Sequence, residues 1–264
     1  MSELILVTGG TGNLGSKVVQ RLYPRGCAVR ALSRRPRSPK EGIEYAVGDL
    51  STGAGLPQAL AGVDVIVHYA SASKGDVEAT RNLVTAAKAL PTPPHFIYIS
   101  IVGVASIGFG YFQDKLHAER VVADSGLPWT LQRATQFFEY VYGGAKAMAR
   151  FPIVPVPKDF RVQAIDVWEV ADRLVDLALR PPAGNVADIG GPEVSMWEEM
   201  IRQYLAIAGM RRLVVPFVMP GTKAIRDGGL LISAQPQPDQ QRLGRLTWKE
   251  FVAQNLSLPV SDPD

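Results

Sequence analysis

The 264-residue chain has very little cysteine and little histidine: Cys27 alone, and three histidines. A single thiol excludes an intrachain disulfide, and the scattered histidines give no metal-ligand spacing, so no metal is expected. Cys27 opens an apolar stretch, where a small buried thiol is the simplest role. Long apolar runs are missing too. None reaches the ~20 residues of a membrane-spanning helix, and no basic-then-apolar leader precedes the first apolar run. A cytoplasmic, reducing setting is the expectation, with no membrane partner. Excess positive charge is only +3, too small to argue for nucleic acid. The chain is 47% hydrophobic and 20% charged, an ordinary globular composition with enough length for a large core. It carries no internal repeat and no low-complexity segment.

What the chain does have begins at once. Ser2 to Thr8 is a short apolar run, Gly9-Gly10-Thr11-Gly12-Asn13-Leu14-Gly15 follows, and Ser16 to Leu22 has helical spacing. A buried strand, a glycine turn and a helix form the setting of a dinucleotide fingerprint, here spaced G-x-x-G-x-x-G. Gly9 can take the tight turn, Gly12 lets a pyrophosphate approach the backbone, and Gly15 lets the helix close on the strand. Thr11, Asn13 and Leu14 complete the turn, and the helix start offers unpaired N–H groups to the pyrophosphate.

Downstream, strand and helix patterns alternate. Strands are expected at Cys27–Leu32, Ile43–Val47, Val63–Tyr69, His95–Ser100 and Trp129–Arg133, with a last short one at Val186–Ile189. Helices are expected at Asp76–Leu90, Tyr111–Asp124, Phe137–Arg150, Val167–Arg180, Ser195–Gly209 and Thr247–Asn255. Asp76 is placed to cap its helix, and Ser195 with Glu198 reads as a capping box. Phe151 to Pro157 is too proline-rich for a central strand. This order predicts an α/β fold: a Rossmann-type, doubly wound parallel sheet with a small irregular C-terminal substrate lobe. The expected division is a dinucleotide-binding domain over 1–192, with 135–160 contributing to the substrate side, and the lobe over 193–264.

The second strand bears on the choice of dinucleotide. An NAD site places an acidic residue about 20 residues beyond the glycine turn. Here Ser33-Arg34-Arg35 stands in that region, with no acid, and arginines suit a 2′-phosphate through charge-assisted bonds. NADP(H) is therefore the expected cofactor; a solvated basic loop, or one that touches nucleic acid, is the plain alternative. Asp49 and Leu50, after the third strand, fit an adenine site and equally an ordinary turn. Tyr111 and Lys115 lie one helical turn apart on one face. An ammonium near a phenol favours the phenolate, and such a tyrosine can protonate a carbonyl oxygen. An aromatic anchor beside an exposed lysine is the alternative reading of that pair.

Taken together these residues resemble the atypical, NmrA-like branch of the short-chain dehydrogenase/reductases. The resemblance is carried by Thr8 to Gly15, Gly48-Asp49-Leu50, Ile99 to Gly103, Tyr111 to Leu116, Leu131 to Phe137 and Asp166 to Ala171. It covers the chain well to about Pro192. It implies that Lys115 bonds the nicotinamide ribose and that Tyr111 is the proton donor. It also implies that Tyr69, Ala70 and Ser71, with Thr135-Gln136-Phe137, line the nicotinamide pocket. Phe137, Phe138 and Tyr142 would form an apolar substrate wall, a role for which ordinary helix packing is an equal reading. The family's enzymes place a serine or threonine after the fifth strand to hold the substrate carbonyl. Here Ile101 takes that place and Ser100 comes one residue early, on the opposite face of an extended strand.

The implied activity is NADPH-dependent hydride transfer to a small carbonyl, quinone or activated alkene, with Tyr111, Lys115 and Ser100 as the catalytic set. A non-enzymatic NADP(H) redox sensor that binds a regulatory protein is the alternative, favoured by Ile101. An epimerase or dehydratase retaining its cofactor is a third. The expected partners are a small-molecule substrate and at most a second copy of the chain, as monomer or homodimer.

Overall fold

A computed structural model describes residues 3–39, 42–69, 75–233 and 243–257. The chain forms β1 (Leu4–Thr8), α1 (Asn13–Leu22), β2 (Ala28–Ser33), β3 (Ile43–Val47), α2 (Leu56–Ala59), β4 (Val65–His68), α3 (Asp76–Lys88), β5 (His95–Ile101), α4 (Gly110–Ala123) and β6 (Trp129–Ala134). It continues through α5 (Phe138–Met148), β7 (Ile153–Pro157), β8 (Arg161–Val162), α6 (Val167–Ala178), β9 (Gly184–Asn185), β10 (Ser195–Met196), α7 (Trp197–Ile207), β11 (Leu213–Phe217), α8 (Lys223–Arg226) and α9 (Trp248–Ser257). Two compact units result, one from residues 1–134 and 167–187, the other from 135–166 and 188–264.

The first unit is a seven-stranded sheet in the order β3-β2-β1-β4-β5-β6-β9, parallel throughout. Strands covered on both faces have no solvent side to alternate toward, and β1, β4 and β5 are buried along almost their whole lengths. Alternation sends Leu6, Ile66, Phe96 and Tyr98 to one face. There they pack with Leu83, Val84 and Ala87 of α3 and with Ala118 and Val122 of α4. On the other face α1 packs against α6, which lies on β4 and β5. Leu14 and Val18 of α1 and Val170 and Leu174 of α6 are fully buried. Strand order reverses beside β1: the chain runs outward through β2 and β3, then returns to β4 on the other side. In open α/β sheets that reversal leaves the crevice in which ligands sit. The doubly wound parallel sheet is therefore as the alternation of elements implied.

The second unit pairs β7 with β11 in parallel and β8 with β10 antiparallel. The prolines of β7 are thus confined to a two-stranded sheet. Its interior is aromatic. Phe138 stands 5.6 Å from Trp248 and 5.1 Å from Phe251, and Tyr142 stands 5.4 Å from Tyr204, centroid to centroid. Phe138 and Tyr142 are thereby engaged in packing.

Three local expectations are corrected. Ser195 does not cap α7: its backbone pairs with Val162 in β10, Met196 is the N-cap with no side-chain bond, and Glu198 bonds Arg202 at 2.7 Å instead. The capping box is at α9, where Thr247 donates its N–H at 2.9 Å and its hydroxyl at 2.6 Å to Glu250. The last strand of the sheet is β9, ending at Asn185; the Val186 N–H still donates to the Leu131 carbonyl at 3.1 Å. Cys27 is half-buried, one residue ahead of β2.

Candidate nucleotide site

The glycine turn lies at the carboxyl end of β1. Gly9 has φ +63°, a left-handed conformation that glycine adopts without steric cost. The Gly12 N–H donates to the Gly9 carbonyl at 2.8 Å, and the Ser16 N–H donates to the Gly12 carbonyl at 3.0 Å as α1 begins. A Cβ on Gly15 would stand 2.2 Å from the Gly9 oxygen, so helix and turn touch backbone to backbone. Gly12, the N-cap, supplies no side-chain bond. Thr11, Gly12 and Asn13 are exposed, while Leu14 and Gly15 are buried. The first-turn N–H groups of α1 are therefore presented without a capping side chain, the arrangement that favours an anion.

β2 delivers the arginines. Ser33 donates its hydroxyl to the Arg35 carbonyl at 2.8 Å and accepts the Arg35 N–H at 3.3 Å. This local turn fixes the loop, with Arg34 and Arg35 exposed. Asp49 accepts from the Ser51 hydroxyl at 2.7 Å and the Ser51 N–H at 2.9 Å. Those bonds hold its carboxyl below the usual range, and the Arg34 charge lowers it further. Leu50 beside it is half-buried. Tyr69 donates its N–H to the Thr8 hydroxyl at 3.1 Å, and its ring lies 3.9 Å from where a Gly12 Cβ would be. Ala70 and Ser71 lie outside the described residues.

Tyr111 and Lys115 share α4 but differ in setting. Tyr111 is 44% exposed, and Lys115 is 3% exposed. The Lys115 ammonium lies 3.1 Å from Oδ2 of Asp76 and donates to the Tyr98 hydroxyl at 3.3 Å. Tyr98 in turn donates to Asp76 Oδ2 at 3.3 Å. Asp76, the first residue of α3, follows the N-cap Gly75; it serves not as the cap but as the counter-ion of Lys115. Burial pulls the Lys115 pKa down, against the raising effect of Asp76 and Glu119. Burial also pushes Tyr98 far up, reinforced by Asp76. Ser100 is 1% exposed and its hydroxyl has no hydrogen-bond partner among the described residues. Two positions along an extended strand share a face, so Ser100 lies on the Tyr98 side of β5, while Ile101, half-buried, takes the other.

A buried polar chain escaped the sequence reading. Thr80 donates its hydroxyl to the Asp76 carbonyl at 2.8 Å. Its oxygen is then free to accept from Nε2 of His68 at 3.1 Å, leaving Nδ1 of His68 to accept from the Thr8 hydroxyl at 2.8 Å. His68 is wholly buried, and desolvation with the Lys115 charge drives its pKa down to about 3, so it is neutral. The only sequence signal was a histidine closing an apolar strand; the register Thr8↔His68 supplies the rest.

A reversing parallel sheet with a glycine turn at the reversal defines a Rossmann-type dinucleotide-binding protein. The chain belongs to the NAD(P)H-binding family, whose model matches residues 9–181. An NAD(P)H azoreductase of Xenophilus azovorans is 29% identical over 215 residues, covering 78% of this chain and 74% of that protein. The (4-alkanoyl-5-oxo-2,5-dihydrofuran-3-yl)methyl phosphate reductase of Streptomyces griseus is 30% identical over 213 residues, covering 78% and 74%. The crystal structure of an Escherichia coli NADPH-dependent quinone oxidoreductase with NADPH has the same fold, with a TM-score of 0.80 at 19% identity over 96% of this chain and 100% of that one. Among the described residues no helix is long and apolar enough to cross a membrane.

The residues present fit such a dinucleotide. No side chain caps the start of α1, basic side chains follow β2, and two buried polar atoms, Ser100 Oγ and Asp76 Oδ1, have no protein partner among the described residues.

Proposed function

We propose that this chain is an NADPH-dependent reductase acting on a small carbonyl, quinone or activated alkene. The observation that carries the proposal is the start of α1, uncapped by any side chain, with two exposed arginines directly after β2, in a chain of the NAD(P)H-binding family. That the similar azoreductase and dihydrofuranyl-methyl phosphate reductase are reductases by name supports it. When bound, NADPH supplies a hydride. In this reading the amides of the Gly9–Gly15 turn hold the diphosphate, Arg34 and Arg35 hold the 2′-phosphate, and Asp49 with Leu50 receives the adenine. Tyr69 flanks the nicotinamide end. Lys115 holds the ribose, Ser100 steadies the substrate, and Tyr111 gives its phenolic proton to the oxygen or carbon that the reduction leaves basic. A cytoplasmic location fits a chain with one half-buried thiol.

Calorimetric titration with NADPH and NADH, followed by NADPH oxidation over a panel of quinones, aldehydes and enones, tests this. NADPH should bind at least ~tenfold tighter than NADH, and part of the panel should turn over. Tyr111→Phe should lower turnover roughly 10²- to 10⁴-fold, with NADPH affinity held within about twofold. If NADPH and NADP⁺ are distinguished yet nothing in the panel is reduced, the reductase reading falls. The redox-sensor reading, favoured by Ile101 at the serine place, then stands.

A further inference from the structure

We infer that Asp76 is a positioning residue for Lys115: its buried carboxylate fixes the ammonium at one point and keeps it charged in a site that excludes water. The role at the cofactor rests on the reading proposed above; the ion pair itself does not. Three elements converge here. Asp76 comes from α3, Lys115 from α4 and Tyr98 from β5, and one oxygen, Asp76 Oδ2, takes both the ammonium and the phenol. The two charged side chains are 2% and 4% exposed. A cation so enclosed loses its proton unless an anion compensates its lost hydration.

The other groups facing Lys115 cannot take over that task. From β4, His68 is neutral. From β5, Tyr98 is held in its uncharged form. From α4 itself, Glu119 already accepts two bonds from Arg133 of β6, at 2.8 and 2.6 Å, and Tyr111 offers a phenol, not a carboxylate. Among the described residues, Asp76 is the carboxylate that pairs with the ammonium. Its backbone is held in turn by the Thr80–His68–Thr8 chain, which starts at the residue preceding Gly9. Lys115 is thereby tied through side chains to the glycine turn.

A merely structural Asp76 would link α3 to α4 without setting the charge of Lys115. Wild type, Asp76→Asn, Asp76→Glu, Lys115→Met and the double variant Asp76→Asn/Lys115→Met separate the two roles. The first measurement is thermal unfolding of ligand-free protein from about pH 6 to 9. Burial already loosens the proton of Lys115 in the folded wild type; with the carboxylate gone, the folded chain should hold that proton less tightly still. The stability deficit of Asp76→Asn should then be largest at low pH and shrink as pH rises, and the double variant should lack that trend. The second is NADPH affinity over the same range. In Asp76→Asn it should fall at least ~tenfold further than in wild type as pH rises, and Asp76→Glu should restore the wild-type curve. If Asp76→Asn does not fold, recovery of folding in the double variant supports an unpaired buried ammonium, and no recovery overturns it. Parallel pH curves for wild type and Asp76→Asn overturn the proposal. Unfolding curves as expected with no NADPH binding to wild type uphold the ion pair and overturn the functional reading instead.

Discussion

Gly15 and Gly9 meet backbone to backbone: a Cβ on Gly15 would sit 2.2 Å from the Gly9 carbonyl oxygen and 2.9 Å from the Gly10 Cα. Neither obstacle is a side chain that can swing away. Gly15→Ala must push α1 off the end of β1, at a cost of roughly 1–3 kcal/mol or more. Urea unfolding should show that loss. Calorimetry at a temperature where the variant remains folded should show NADPH binding weakened as well, because the displaced helix start is the proposed diphosphate site.

The arginines after β2 should set which dinucleotide is taken. Charge-assisted hydrogen bonds are worth about 1.5–3 kcal/mol each, so Arg34→Ala with Arg35→Ala should cut NADPH affinity by roughly tenfold to several hundredfold or more. NADH affinity should barely move. The NADPH preference of wild type should also weaken with added salt, since both side chains are exposed.

His68 should make the protein acid-sensitive. Its pKa is about 3 when folded, against 6.5 for a free imidazole. Between those values the unfolded chain binds the extra proton, so stability is full above the upper value and is lost as pH falls toward the lower. The loss should be on the order of several kcal/mol across the window. Equilibrium unfolding at stepped pH checks this. His68→Gln, though less stable at neutral pH, should lack this part of the slope.

At α9, Thr247→Ala removes the capping hydroxyl and should cost about 0.5–2 kcal/mol. Glu250 is held below the usual carboxylate range by the two bonds from Thr247. Its contribution is therefore present above the ordinary carboxylate pKa and lost as the medium is acidified through the lowered one. The acid limb of the unfolding profile should flatten in Thr247→Ala.

Much of the fold was legible because its signals are local. The apolar run into Gly9, the 3.6-residue stripe of α3 and the prolines of β7 each act within one element. So do the spacing of Gly9, Gly12 and Gly15 and the lack of an acid after β2. What could not be read joins residues far apart in the chain. Thr8 reaches His68 across 60 positions and Lys115 reaches Tyr98 across 17. Asp76 looked like a cap because aspartate at a helix start commonly caps. Its carboxylate turned inward because Gly75, at φ +86°, took the N-cap position and α4 brought an ammonium alongside. The two capping boxes show the same limit. Ser195-x-x-Glu198 and Thr247-x-x-Glu250 are equivalent as text, but the backbone of Ser195 is committed to a β-bridge while that of Thr247 is free to turn.

The chain crosses between its two units at three peptide bonds, after residues 134, 166 and 187. No single stop codon or protease site can therefore deliver the dinucleotide-binding unit whole and free of the other. A gene cut after codon 134 would encode a sheet missing β9 and stripped of α6, baring the apolar side chains that α1 shares with it. Any dissection or domain exchange in this protein has to carry the 167–187 stretch along, spliced back by a linker in place of 135–166.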